Sequence, residues 1–199
     1  MIYLVSGHPR TGSSAVVESL IKGGMEAMWD DKEHQHVLKT VQKDGYQPHP
    51  AGTYEWFSWD KKPMIKNSAE ELEEWRALFQ NKLCKIFHRS LFVLPKDRYK
   101  IVYLTRRYEE IEQSTRKVYD KGWEKRLIIA HNREEYAAMV RKAIDFMRSR
   151  EDIEFSLISY NVLLQDPIAV FEALKTSGWP IDPKQAASVI DPKWYRMRS

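Results

Sequence analysis

A chain of 199 residues, 43% hydrophobic and 30% charged, can bury roughly 70% of its unfolded surface in one core without disulfides or metal staples. Its 32 Lys and Arg against 28 Asp and Glu suit an anionic small ligand but are too few and too scattered for a nucleic-acid groove. No apolar stretch approaches the roughly 20 residues that span a bilayer, and the lone Cys84, in the apolar run 83–87, reads as a small core hydrophobe.

The chain opens with the apolar run Ile2-Tyr3-Leu4-Val5, followed by Ser6 to Ser14, SGHPRTGSS, and a stretch with Val16, Val17, Leu20 and Ile21 at helical spacing. That order is strand, glycine loop, helix. Gly7 and Gly12 keep the spacing of G-x-x-x-x-G-K-[ST], in which backbone N–H groups and a helix N-terminus hold a phosphate. Ser13 stands where an NTPase has its lysine, and Arg10 is the strong positive charge of the loop, which points to a phosphorylated donor other than ATP. A strand that starts at residue 2 leaves no room for a leader ahead of it, so the expectation is a cytoplasmic protein.

Gly23-Gly24 ends the first helix, Glu26 to Trp29 reads as a weak strand, and His34 to Val41 as a short helix in a polar stretch. Residues 45–63, GYQPHPAGTYEWFSWDKKP, are rich in Pro, Gly and aromatics and are expected to form a functional loop or lid. Ser68 and Glu71 form a capping box for a helix to about Asn81, with Leu72, Trp75, Leu78 and Phe79 on its apolar side. Leu83–Phe87 and Lys100–Thr105 read as buried parallel strands, Arg107 to Tyr119 and Asn132 to Arg148 as helices, and Phe155–Ser159 as a fifth strand. Asp166 caps a last helix, with Pro167 in its first turn, Ile168, Phe171 and Leu174 facing inward, and Gly178 stopping it. Strands alternating with helices predict a single α/β domain of three layers, a P-loop fold whose central, mainly parallel sheet has about five strands and binds ligands at their carboxyl ends.

Three segments, in order, resemble those of the sulfotransferase superfamily, in particular small bacterial and phage-type members. Pro9-Arg10-Thr11-Gly12-Ser13-Ser14 is similar to the family's Pro-[Lys/Arg]-Ser-Gly-Thr-[Thr/Ser]. VYLTRRYEEIEQS, residues 102–114, resembles the segment in which a strand ends in Arg and a Ser follows eight residues later. SYNVLLQDP, residues 159–167, resembles the strand that ends in Tyr and is followed by Asp-Pro. The resemblance implies transfer of a sulfuryl group from 3′-phosphoadenosine 5′-phosphosulfate (PAPS), leaving 3′-phosphoadenosine 5′-phosphate (PAP), without a metal. Gly7, Pro9, Arg10, Thr11, Gly12, Ser13 and Ser14 would hold the phosphosulfate, Arg106 and Ser114 the 3′-phosphate, and Tyr160 would lie near the adenine. Ala15 replaces the Trp that stacks on adenine in eukaryotic members, and Arg196 and Arg198 stand in for their C-terminal basic element.

Two residues are candidates for the base that takes the acceptor's proton. His88, in Lys85-Ile86-Phe87-His88, follows a strand much as the family's Lys-x-His does, with a gap one residue longer, and a histidine near neutrality is an apt base. Glu55, in Tyr54-Glu55-Trp56, lies in a patch similar to one in related proteins, where burial beside Trp56 would raise its pKa. Arg10 is the expected catalytic cation. His34, His36 and His49 lack zinc-type spacing and read as solvated. The expected activity is transfer to a hydroxyl or amine of a small or carbohydrate-like acceptor, with no nucleic-acid or membrane partner. A P-loop nucleotide or nucleoside kinase and a catalytically idle nucleotide-binding protein are the alternatives.

Overall fold

The computed structural model describes residues 1–28, 73, 76–119 and 132–191. Five strands form one sheet: β1 (Ile2–Gly7), β2 (Ala27–Met28), β3 (Leu83–Lys85), β4 (Tyr99–Thr105) and β5 (Ile153–Ser159). Their order is β2-β3-β1-β4-β5 and every pairing is parallel. Helices α1 (Ser13–Lys22), α2 (Tyr108–Tyr119), α3 (Arg133–Arg148), α4 (Tyr160–Gln165), α5 (Pro167–Thr176) and α6 (Pro183–Ala187) flank it, with a 3₁₀ helix at His88–Val93.

The apolar run of β1 serves both faces of the sheet, as in a parallel strand covered by helices on each side. Tyr3 and Val5 join Val16 and Leu20 of α1, Leu163 of α4, Phe171 and Leu174 of α5, and Ala186 of α6 in one core. Ile2 and Leu4 pack on the opposite face with Tyr99, Ile101 and Tyr103 of β4, Ala143 and Met147 of α3, and Leu91 of the 3₁₀ helix. The chain turns from β1 toward β2 and β3 on one side and later places β4 on the other. Ligand crevices open at such a reversal, beyond the carboxyl ends of the strands.

Helix α1 has the bounds that its spacing predicts. Asn132 and Asp166 cap α3 and α5, each accepting a backbone N–H from the third residue on, Glu135 at 2.8 Å and Ala169 at 3.0 Å. Four local expectations give way. Strand β3 stops at Lys85, because the backbone at His88 closes into 3₁₀ turns. Tyr160 opens helix α4 rather than extending a strand. Leu78 and Ile168, expected inside, are 39% and 47% exposed, whereas Phe79 and Phe171, expected on the same faces, are fully buried. The region 29–72, with its expected helix 34–41 and lid 45–63, lies outside the described residues, as does the tail from residue 192.

Phe171 has no exposed surface. Phe171→Ala should therefore cost about 3–5 kcal/mol of stability, whereas Ile168→Ala should stay within about 0.5 kcal/mol, both measured as urea midpoint shifts at constant slope.

Candidate functional site

Strand β1 delivers the chain into a loop whose backbone is bent twice into left-handed conformations, at Arg10 (φ 72°) and at Gly12 (φ 93°). Only a glycine fits at position 12: a Cβ there would stand 2.4 Å from two carbons of the Tyr160 ring. Gly7 meets a similar constraint, with the carbonyl of Leu104 2.7 Å from where its Cβ would be. Thr11, fully buried, donates its hydroxyl to the carbonyl of His8 at 2.7 Å and so braces the loop from within instead of facing a ligand. Gly12 caps α1 without a side-chain hydrogen bond, and no acidic residue occupies the helix's first turn. The first amides of α1 have no helical acceptor, and the helix dipole adds positive potential there, so the loop mouth favours an anion.

Three cations from three separate elements reach this loop. Arg10, in the loop, donates from Nε to the Ser114 hydroxyl of α2 at 2.8 Å. Lys85, at the end of β3 and 7% exposed, donates to the Ser14 hydroxyl at 3.0 Å. Arg106, just after β4, donates from Nη1 to the carbonyl of Arg10 at 3.1 Å, and its guanidinium lies 5.1 Å from the centre of the Tyr160 ring. A lysine thus stands beside the loop although Ser13 occupies the NTPase lysine position. The pattern of one loop does not reveal it, because Lys85 reaches Ser14 only through parallel pairing of β3 with β1.

Arg106 also ion-pairs with Glu110 at 2.7 Å, the two side chains being 8% and 11% exposed. Glu110 in turn accepts from Asn161 Nδ2 at 2.7 Å. The carboxylate one turn into α2 therefore offsets the cation that the sequence places at the helix start. Among the expected donor contacts, Gly7, Pro9, Arg10, Thr11, Gly12, Ser13, Ser14, Arg106, Ser114 and Tyr160 all gather at the carboxyl ends of β1, β4 and β5. Tyr160 is buried, its ring closing the back of the loop against Gly12. Glu55 lies outside the described residues.

His8 of the loop and His88 of the 3₁₀ helix each pack against a tyrosine in buried pairs that the sequence signals only in part. His8 contacts the Tyr136 ring edge-on at 5.4 Å between centres, and its Nδ1 lies 2.8 Å from the Pro9 carbonyl. His88 Nδ1 lies 2.8 Å from the Tyr103 hydroxyl. Burial lowers the pKa of His8 and, helped by the neighbouring His8 and Lys142, pulls that of His88 down to about 4. Burial raises Tyr103 and Tyr136, which stay protonated, and pushes the Cys84 thiol far above its usual range, so Cys84 is inert. Among the described residues no group of three or more His, Cys, Asp or Glu gathers as metal ligands do, and no helix is long and apolar enough to cross a membrane.

No protein-family model matches the chain, nor does any curated protein. Solved structures similar to it include a sulfotransferase domain of the Synechococcus PCC 7002 olefin synthase, at 13% identity and a TM-score of 0.48 over 100% of this chain and 83% of that one. A sulfotransferase domain from the curacin biosynthetic pathway is 14% identical, with a TM-score of 0.45 over 100% of this chain and 91% of that one. A sugar kinase from Janibacter sp. HTCC2649 is 12% identical, with a TM-score of 0.40 over 92% of this chain and 96% of that one.

Two outcomes follow from this geometry. Gly12→Ala should lower thermal stability by about 2 kcal/mol or more, because the left-handed backbone and the Tyr160 ring both resist a Cβ. His88 titrates near 4 when folded and at an ordinary 6.5 when unfolded. Between those values the unfolded chain binds more protons, so stability should be present above pH 6.5 and fall by about 3 kcal/mol as pH drops to 4. Urea midpoints measured across that range should show this loss diminished in His88→Gln.

Proposed function

We propose that the chain is a PAPS-dependent sulfotransferase, with the loop as the seat of the donor's 5′-phosphosulfate. The convergence of Arg10, Lys85 and Arg106 on one glycine loop, with the hydroxyls of Ser14 and Ser114 between them, is the observation that carries this reading. Sulfuryl transfer asks little covalent chemistry of the protein. It asks for positioning, and for fixed positive charge where the leaving phosphate gains negative charge. The amides at the start of α1, Arg10 and Lys85 would supply that charge, and arginine adds a fork that matches phosphate oxygens two at a time.

The donor fits this cradle in a second respect. An additional 3′-phosphate separates PAP from AMP, and Ser114 of α2 and Arg106, just after β4, both meet the loop at Arg10. In the free protein the Ser114 hydroxyl accepts from Arg10. A hydroxyl can accept from Arg10 and donate to a phosphate oxygen at once, so ligand binding need not break this contact. Strands β3 and β4 end in Lys85 and Thr105, so neither places a carboxylate where NTPases hold magnesium, which favours a sulfuryl donor over ATP. The acceptor is a hydroxyl or amine on a small or carbohydrate-like molecule.

Thermal shifts with PAP, AMP and ATP test the reading. PAP should stabilise the chain most, and Ser114→Ala should weaken PAP by about tenfold or more, the cost of a hydrogen bond to a charged group, while weakening AMP less. Ser114 is a cleaner probe than Arg106, whose removal would strand the buried Glu110 carboxylate. Preference for ATP with magnesium would instead identify a kinase, and equal losses for PAP and AMP would overturn the 3′-phosphate site.

A further inference from the structure

The phosphate loop of an NTPase holds magnesium with the Ser or Thr that follows its lysine and with an aspartate brought in by another strand. In this chain Ser14 keeps the first position, two residues after Gly12. The second is reversed in charge. Lys85 closes β3, which runs beside β1 with Val5 opposite Lys85, and its ammonium donates to the Ser14 hydroxyl at 3.0 Å. Lys85 is 7% exposed, so this contact is made inside the protein.

Such a donor set does not fit a divalent ion at Ser14. Magnesium sits about 2.1 Å from its oxygen ligands, so an ion on the Ser14 hydroxyl would stand about 4 Å from the Lys85 ammonium. Two positive centres at that range repel strongly where water is largely excluded. Lys85 is also hard to move aside, because β3 is paired with β1 on one edge and with β2 on the other. Magnesium sites are completed by anionic oxygens. Glu110 is the one buried carboxylate among the described residues, and both its oxygens are engaged, Oε2 by Arg106 and Oε1 by Asn161.

We propose that Lys85 is the resident cation of the loop: it takes the place that magnesium has in NTPases and selects phosphate ligands that arrive without a metal. This role holds for any phosphate presented at the start of α1, whichever reaction follows. An ammonium has three N–H donors, so the bond to Ser14 and one to a phosphate oxygen coexist. The choice of donor follows from it. ATP travels as its magnesium complex, which would bring the metal against Lys85. A phosphosulfate carries fewer negative charges than a triphosphate, so a single ammonium offsets a larger share of them.

Calorimetric titrations of the full chain with ATP, in magnesium and in EDTA, read this selectivity. ATP should bind the wild-type chain no tighter in magnesium than in EDTA. Binding tenfold or more tighter in magnesium would overturn the proposal without recourse to a variant. Lys85→Met removes the ammonium and keeps an apolar stem, so magnesium should strengthen its ATP binding by about tenfold or more, and adding Ser14→Ala should cancel that gain. PAP in EDTA should move the other way, weakened by about tenfold or more in Lys85→Met. A gain for one ligand beside a loss for the other is not what a general loss of structure produces. A Lys85→Met chain as indifferent to magnesium as the wild type would overturn the exclusion, and a gain that survives Ser14→Ala would overturn its placement at Ser14. Failure of PAP to stabilise the wild-type chain would overturn the sulfotransferase reading alone, since the ATP titrations decide the role of Lys85 without it.

Discussion

The guanidinium of Arg106 joins parts of the chain that share no strand or helix. Its Nη1 holds the carbonyl of Arg10, its Nε holds Glu110 of α2, and its face covers Tyr160 at the start of α4. The Tyr160 ring in turn occupies the space that only a glycine at position 12 leaves open. Loop, α2 and α4 are thereby set relative to one another by one planar group. Such a group loses little freedom when it is ordered, because its donors are fixed in a fork. Desolvating Arg106 and Glu110 costs energy that their mutual attraction and the added bond from Asn161 offset.

The loop keeps the shape of a phosphate cradle while its charge comes from elsewhere. Lys85 arrives from β3 and Arg106 from the end of β4, so the cations are mounted on the two neighbours of β1 and not on the loop alone. A cradle of this kind separates two tasks. Backbone amides and left-handed residues give the shape, and side chains from flanking strands set the field.

Much of the fold was legible in the sequence because its signals were local. The double glycine, the helical spacing of Val16, Val17, Leu20 and Ile21, and the cap at Asp166 place their elements correctly. The unbroken apolar runs of β1 and β4 announced strands buried on both faces. What escaped depends on contacts between distant residues. Ile168 and Phe171 share one expected inward face, and only the packing of α5 leaves Ile168 half exposed while Phe171 is buried. The burial of Lys85, the bracing role of Thr11 and the pairing of His88 with Tyr103 rest on strand register, which a single sequence does not encode locally. His8 drew no notice because a loop motif is read by its glycines and its cation.

The strand order has a consequence for how the protein is made. In β1, Tyr3 pairs with Leu83 and Ile2 with Tyr99, so this strand is synthesised well before either of its neighbours and waits for both. Parallel pairing over such separations closes long loops before it is rewarded, which slows folding. During that wait β1 exposes an apolar ribbon with two unpaired edges, the kind of segment that recruits other chains. The same residues that seat the phosphate loop between two strands thus make the nascent chain dependent on rapid shielding of Ile2–Gly7.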